Sequence, residues 1–182
     1  RHHLGADAVL PDNIAVGVMA GRHLVELGHR DVLVASGSDQ LTTIADRLTG
    51  VCSAFQKVGI QPTVLQEAFS LSGGARIASR IGGLDVRPSA ILALSDLMAI
   101  GVLQELRRQG LRVPDDISVM GIDDITVAQS LAPALTTVAV PLNEMGEIAF
   151  SMVRKPSAAR PRRRVLPAQL VVRESTSGVK QN

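Results

Sequence analysis

The sequence predicts an α/β domain built on a parallel, doubly wound sheet with helices on both faces. Three observations carry that prediction. Short apolar runs alternate with stretches of helical periodicity along most of the chain. One run, AILALS (90–95), is almost wholly apolar, as a central parallel strand buried on both faces must be. Polar residues gather where the apolar runs end, as they do at the ligand edge of such sheets.

The elements follow in order. No periodicity marks the first dozen residues. Asn13 is placed to cap a helix whose apolar positions Val16, Met19, Ala20, Leu24 and Leu27 follow helical spacing, and Gly28 can end it in a left-handed turn. DVLVAS (31–36) reads as a strand. Thr43 with Asp46 resembles a capping box and opens a helix that runs to Gly59. TVLQEAF (63–69) is the next strand, followed by a helix through Arg76 to Ile81. After AILALS, Asp96 is placed to cap LMAIGVLQELRRQ, which Gly110 and Pro114 stop. ISVMGI (117–122), TTVAVP (136–141), a helix over 142–153 and AQLVVRE (168–174) complete the pattern.

Composition narrows the class. The 182 residues are long enough for one domain with part of another, and 46% are apolar. With three Phe and neither Trp nor Tyr, the core must be aliphatic. The single cysteine, Cys52, excludes an internal disulfide and fits a reducing compartment. No run approaches the ~18 apolar residues of a membrane span. A net charge of +2 gives no case for a wholly basic nucleic-acid-binding domain. Basic residues do cluster in RKPSAARPRRR (154–164), where Pro156 and Pro161 argue for a surface loop. The chain opens without methionine, in turn-like sequence, and reads as a piece of a longer protein.

Strand ends supply the candidate site: Ser36-Gly37-Ser38, Phe69-Ser70, Ser95-Asp96 and Asp123-Asp124, with Arg47 in reach from the following helix. A carboxylate accepts hydrogen bonds from hydroxyls, a guanidinium donates a planar fork, and a phenyl ring offers a flat apolar face. That set suits a small polyol or sugar. Residue by residue, a structural alternative stands beside each role. Asp96 and Asp124 can cap helices, Phe69 can be core, and Arg47 can pair with Asp46. Catalytic chemistry has less support. His2 and His3 are terminal, His23 and His29 sit on or after the first helix, and neither converges with carboxylates on a metal site. There is no GxSxG, P-loop or GxGxxG motif, and Asp123-Asp124 lacks a partner base. No cofactor is implied.

The stretches AGRHLVELGHRDVLVASG, DRLTGVCSAFQKVGI, RPSAILALSDLMAIGVLQELRRQGLRVPDDISVMGIDD, APALTTVAVPLNEMGEIA and VLPAQLVVREST closely resemble the lactose/galactose-repressor family of bacterial transcription regulators. The likeness runs from about Asp12 to Ser177. It implies a two-lobed, type I periplasmic-binding-protein-like fold, of which this chain carries the C-terminal lobe and parts of the N-terminal lobe. On that reading residues 1–29 belong to the N-terminal lobe and 30–135 to the C-terminal lobe. Residues 136–160 return to the N-terminal lobe, and 161–182 hold the final C-terminal-lobe strand and tail.

The resemblance further implies a non-enzymatic, cytoplasmic homodimer. It would bind a sugar-like effector in the inter-lobe cleft and operator DNA through an N-terminal helix-turn-helix that lies outside this chain. The fold is shared with periplasmic sugar-binding proteins of transporters, which is the alternative reading. Carried over by motif, Arg47 would grip the effector, Asp123 accept its hydrogen bonds and Phe69 stack on it, with Ser95 at a position that is Asn in some members; Ser36, placed by its strand end, is expected to line the ligand as well. Asp96 and Asp124 are then structural helix caps. Two departures stand out. Leu41 occupies a position that is polar or basic in some members, and the strands that would receive the first helix are missing. The apolar face around Met19, Leu24 and Leu27 is therefore expected to be exposed and to drive self-association.

Overall fold

The computed structural model describes residues 6–38, 40–155 and 161–179. His2, His3 and the Pro156 end of the basic run lie outside the described residues.

Six strands form the main sheet. Strands β2 (Val32–Ser36), β3 (Thr63–Gln66), β4 (Ala90–Ala93), β5 (Ser118–Asp123), β6 (Thr136–Ala139) and β8 (Gln169–Val171) lie in the order β3-β2-β4-β5-β6-β8. All neighbours are parallel except β8, which runs antiparallel to β6. The apolar runs explain why both faces are covered. In β2, Val32 and Val34 point into one apolar cluster while Leu33 and Ala35 point into the other.

The first cluster is closed by α1 (Asn13–Glu26) and α2 (Thr42–Gln56), through Val16, Ala20 and Leu24 on one side and Ile44, Val51 and Phe55 on the other. The second is closed by α3 (Leu71–Ser79) and α4 (Asp96–Arg108), through Ile77, Met98, Val102 and Leu106.

A separate two-stranded parallel sheet pairs β1 (Ala8–Pro11) with β7 (Arg163–Leu166), and α5 (Leu142–Arg154) packs beside β1. Both strands escape sequence reading because neither shows an apolar period. The second begins in the last two residues of the run expected to be a loop. What holds them is partly ionic, since the Arg162 guanidinium and backbone N–H both donate to the Asp7 carboxylate. The chain passes between the two sheets after β1, after β6 and after β7.

These sheets redraw the expected boundaries. Helix α1 does not stand apart from residues 30–135. It packs along α2 and over the main sheet, with Val16, Ala20 and Leu24 fully buried. Strand β6 lies inside the main sheet rather than beyond it. Among the described residues only β1, α5 and β7 form the second group, and β7 belongs there rather than to the tail that ends in β8. The expected exposed face on α1 is thus covered. Exposed apolar residues stand instead on α5, where Phe150 and Val153 are 64% and 78% accessible.

Local capping also differs from the sequence reading. Asp12, not Asn13, caps α1 by accepting from the Ala15 N–H at 3.0 Å. Leu41 occupies the N-cap of α2, where no side chain bonds the helix end, so Thr43 and Asp46 form no capping box. Helix α3 stops at Ser79, and a 3₁₀ turn (Ile81–Gly83) follows.

Candidate ligand-binding site

Two glycines bring α1 and α2 close enough to build the site. A Cβ on Gly17 would lie 2.0 Å from the Arg47 carbonyl oxygen, and one on Gly50 would lie 2.1 Å from that of Ile14. Backbone therefore meets backbone at the crossing. The first turn of α1 is held against the first turns of α2, and Asn13 faces Arg47.

Arg47 is 5% exposed and each of its three guanidinium nitrogens donates one hydrogen bond, leaving two of the five N–H donors for a ligand. Nε donates to Asn13 Oδ1 at 3.1 Å, Nη1 to the Leu94 carbonyl at 2.8 Å, and Nη2 to Asp123 Oδ1 at 2.7 Å. These partners come from the first turn of α1, the end of β4 and the end of β5. The planar fork thus ties three segments at the carboxyl edge of the sheet. It does not pair with Asp46.

Asp123 is the more open partner, its side chain 21% accessible against 6% for Arg47. Burial pushes its carboxyl above the usual range, and the adjacent guanidinium works against that shift. Asp123 and Asp124 both adopt positive φ, 121° and 55°, unusual for residues other than glycine. The chain therefore turns sharply out of β5. Asp123 swings toward Arg47, and Asp124 swings to an ion pair with Arg173 at 2.7 Å.

The other expected site residues take different places. Phe69 lies past the end of β3, 38% exposed, with its ring over Gly37. It is a rim residue, not core. Ser36 is fully buried and donates to the Gly37 carbonyl. Ser95 is 2% exposed and its Oγ caps α4, accepting from the Met98 N–H at 3.3 Å. Both hydroxyls have structural partners and neither opens toward solvent.

That finding corrects the assignment of Asp96 as the cap of α4. Asp96 is buried behind the turn and accepts from Thr137 Oγ1 at 2.7 Å and the Ile125 N–H at 2.9 Å. Burial raises its pKa to about 6, against the lowering effect of those two bonds; the nearby Asp123 and Asp124 charges add to the rise. Asp124 caps no helix either, since its carboxylate is held by Arg173.

Asn13 is the site residue that sequence reading missed in this role. Its place in the pair Asp12-Asn13, before a helical pattern, pointed to capping, and only the close α1–α2 crossing turns its side chain to Arg47. A cavity of about 350 Å³ lies between Ala15, Val16 and Met19 of α1 and the end of β7 with the connection after it, residues 165–168. Asp12 lines it, but Arg47, Asp123 and Phe69 do not.

Among the described residues no group of three or more His, Cys, Asp or Glu converges on a metal position. Nor, among them, is any helix long and apolar enough to cross a membrane.

Known proteins resemble this chain over most of its length. The family model of the periplasmic binding protein-like domain matches residues 22–176. An HTH-type transcriptional regulator, DegA of Bacillus subtilis (strain 168), is 34% identical over 180 residues, covering 96% of this chain and 53% of the relative. An HTH-type transcriptional repressor, PurR of Escherichia fergusonii, is 39% identical over 150 residues, covering 81% of this chain and 44% of the relative. The chain therefore spans about half the length of the curated relatives it matches. Among solved structures, a LacI family transcriptional regulator from Enterococcus faecium with bound ribose superposes with a TM-score of 0.89. It is 28% identical, and the match covers 99% of this chain and 69% of that one.

Proposed function

This chain belongs to the periplasmic binding protein-like family, and from that premise we propose that it is the effector-sensing and dimerisation region of a cytoplasmic, DNA-binding transcriptional repressor. The effector is a small sugar or sugar derivative, and the region has no enzymatic activity. The observation that carries the reading is the Arg47–Asp123 pair at the carboxyl edge of the sheet, with Phe69 on the rim.

A neutral polyol can enter such a site without bringing a charge. Its hydroxyls donate to the remaining lone pairs of Asp123, which a carboxylate has in excess of the one that Arg47 occupies. They accept from the guanidinium, while the C–H face of the ring lies on Phe69. The bound ribose in the Enterococcus faecium regulator supports this ligand class.

Signalling follows from position. Arg47 also holds Asn13, the residue just after the passage from the small sheet. A ligand that redirects the guanidinium alters how that passage is held. Only a ligand with different affinity for two arrangements of the passages shifts their balance, and with it the spacing of paired DNA-binding heads. The exposed apolar side chains of Leu71 and Leu97, at the starts of α3 and α4, and of Val127, in a 3₁₀ turn after β5 (Thr126–Ser130), are consistent with a homodimer.

The test uses the full-length protein encoded by the gene. Sedimentation reads its oligomeric state, and gel shift on its own upstream DNA reads operator binding with and without D-ribose or other sugars. A dimer whose DNA affinity changes with sugar supports the reading. A monomer that binds sugar but no DNA overturns it in favour of a transport-type binding protein.

A further inference from the structure

We propose that Asp96 is a positioning residue for the site, holding the turn after β5 in the shape that presents Asp123 to Arg47 and to ligand; the ligand clause rests on the function proposed above.

The geometry comes first. Asp96 is fully buried, one residue past the Ser95 cap, so its side chain is not needed by its own helix. It reaches across instead to the strand ends beside it. One oxygen accepts from Thr137 Oγ1 on β6 at 2.7 Å, and the other from the Ile125 N–H at 2.9 Å. Thr137 Oγ1 in turn accepts from the Asp124 N–H at 3.4 Å.

The last residue of β5, Asp123, and the one after it, Asp124, are the ones with positive φ, at 121° and 55°. A left-handed pair of non-glycine residues persists only where surrounding contacts hold it. Here Thr137 holds the N–H of Asp124, within the pair, and Asp96 holds that of Ile125, just after it. Gly121 makes room for the grip, because a Cβ there would come within 2.2 Å of Asp96 Oδ1. No contact of Asp96 with Arg47 is needed; it acts through the turn.

The charge around this clamp makes it responsive. The charged groups facing Asp96 are Asp123 and Asp124 from the turn, each paired outward with a cation, Arg47 on α2 and Arg173 after β8. Asp96 itself bonds only a hydroxyl and an amide. It titrates near pH 6, so the clamp exists in two protonation states close to neutrality. Once protonated, Asp96 donates to Thr137 rather than accepting from it, and the hydroxyl that linked the turn must reverse. Asparagine at 96 reproduces that protonated arrangement, with its amide donating to Thr137 and its carbonyl facing Ile125.

The test reads the Arg47 guanidinium directly, by nitrogen-15 NMR of arginine-labelled full-length protein, with Arg47→Lys identifying the signal. In the unsubstituted protein the Arg47 signal should change with pH through an inflection near 6. Asp96→Asn should give the low-pH signal at every pH, with no inflection. Asp96→Ala should lose the ion-pair signal throughout, and Thr137→Val should weaken it.

A D-ribose titration runs beside these measurements, with affinity expected to fall at least tenfold in Asp96→Ala. Should that variant fail to fold, the near-isosteric Asp96→Asn decides. An Arg47 signal and pH profile unchanged in Asp96→Asn, with only a lower melting temperature, would reduce Asp96 to a packing residue and overturn the proposal. Signals that respond as stated in a protein that binds no sugar would uphold the positioning role and count against the effector reading alone.

Discussion

Arg47 and Asp123 lie 76 positions apart in the chain and meet across 2.7 Å at the carboxyl edge of the sheet. Each was expected to hold a ligand, and in this structure each holds the other. On the function proposed above the pair would take a neutral ligand, because the charges balance before anything binds. It is also structural, since the same guanidinium ties α1 and β4 to β5.

Arg47→Ala should therefore lower stability as well as binding. Removing one partner of a largely buried ion pair costs about 3–5 kcal/mol, and here the Leu94 carbonyl and Asn13 also lose a donor. Arg47→Lys keeps the charge but loses the fork, and should recover less than half of that loss. Urea denaturation of the two variants checks the order.

Gly50→Ala places a methyl group into the backbone of α1, and Gly17→Ala does the same toward α2. Each should destabilise by at least the ~1–3 kcal/mol typical of overpacking, because backbone cannot yield as a side chain can. Part of the cost should appear as a looser Asn13–Arg47 contact. Thermal melts and hydrogen exchange at the start of α1 read both.

Arg22→Ala serves as the contrasting case. Its ion pair with Glu26 sits on the surface of α1, with both side chains 65% accessible. Such pairs contribute about 0–1 kcal/mol, so the urea midpoint should hardly move.

His29 links the first helix to the tail. Its ring bonds Ser89 Oγ at 2.9 Å and the Ser177 carbonyl at 3.1 Å, and it is 2% exposed. Burial holds its pKa below the usual 6.5, the Ser177 carbonyl working against that shift. The unfolded chain therefore takes the proton first, and stability should fall as pH drops below about 6.5 toward the lower folded value. His29→Gln should be less stable at pH 8 and lose less on acidification, as paired urea curves would record.

Asp96 has the opposite sign. Its folded pKa of about 6 exceeds the ordinary carboxylate value of 3.8, so between those two pH values the native state holds a proton that the unfolded chain does not. The contribution is full below the unfolded value and lost as pH rises through about 6. The loss by pH 7 amounts to about 3 kcal/mol. The stability of the parent relative to Asp96→Asn should fall by roughly this amount between pH 3 and pH 7.

The strands of the main sheet were legible because burial on both faces leaves a run of apolar residues, as in Val32–Ala35 and Ala90–Ala93. Strands β1 and β7 were not, because half-exposed strands held by Asp7 and Arg162 leave no such period. Arg47 and Asp123 were picked out as candidate site residues by motif, yet their bond was not foreseen. It depends on a left-handed turn at two aspartates, where sequence preference points to glycine. Misplacing α1 has a similar origin: the Gly17–Gly50 contact that fixes it on α2 joins two helices through residues with no side chain to read. Ser36 and Ser95 stand where strand ends put them, but the direction of a hydroxyl follows from local bonding, not from position along the chain.

The most direct measurement is a calorimetric titration of the full-length protein with D-ribose, followed by the sugar that binds best, in parallel with its Asp123→Asn variant. Asparagine keeps the shape and an acceptor but drops the charge that Arg47 and ligand hydroxyls share. The account predicts saturable binding to the parent and at least tenfold weaker binding to the variant, with the variant still folded. Equal affinity in the two proteins would contradict it and place the ligand elsewhere.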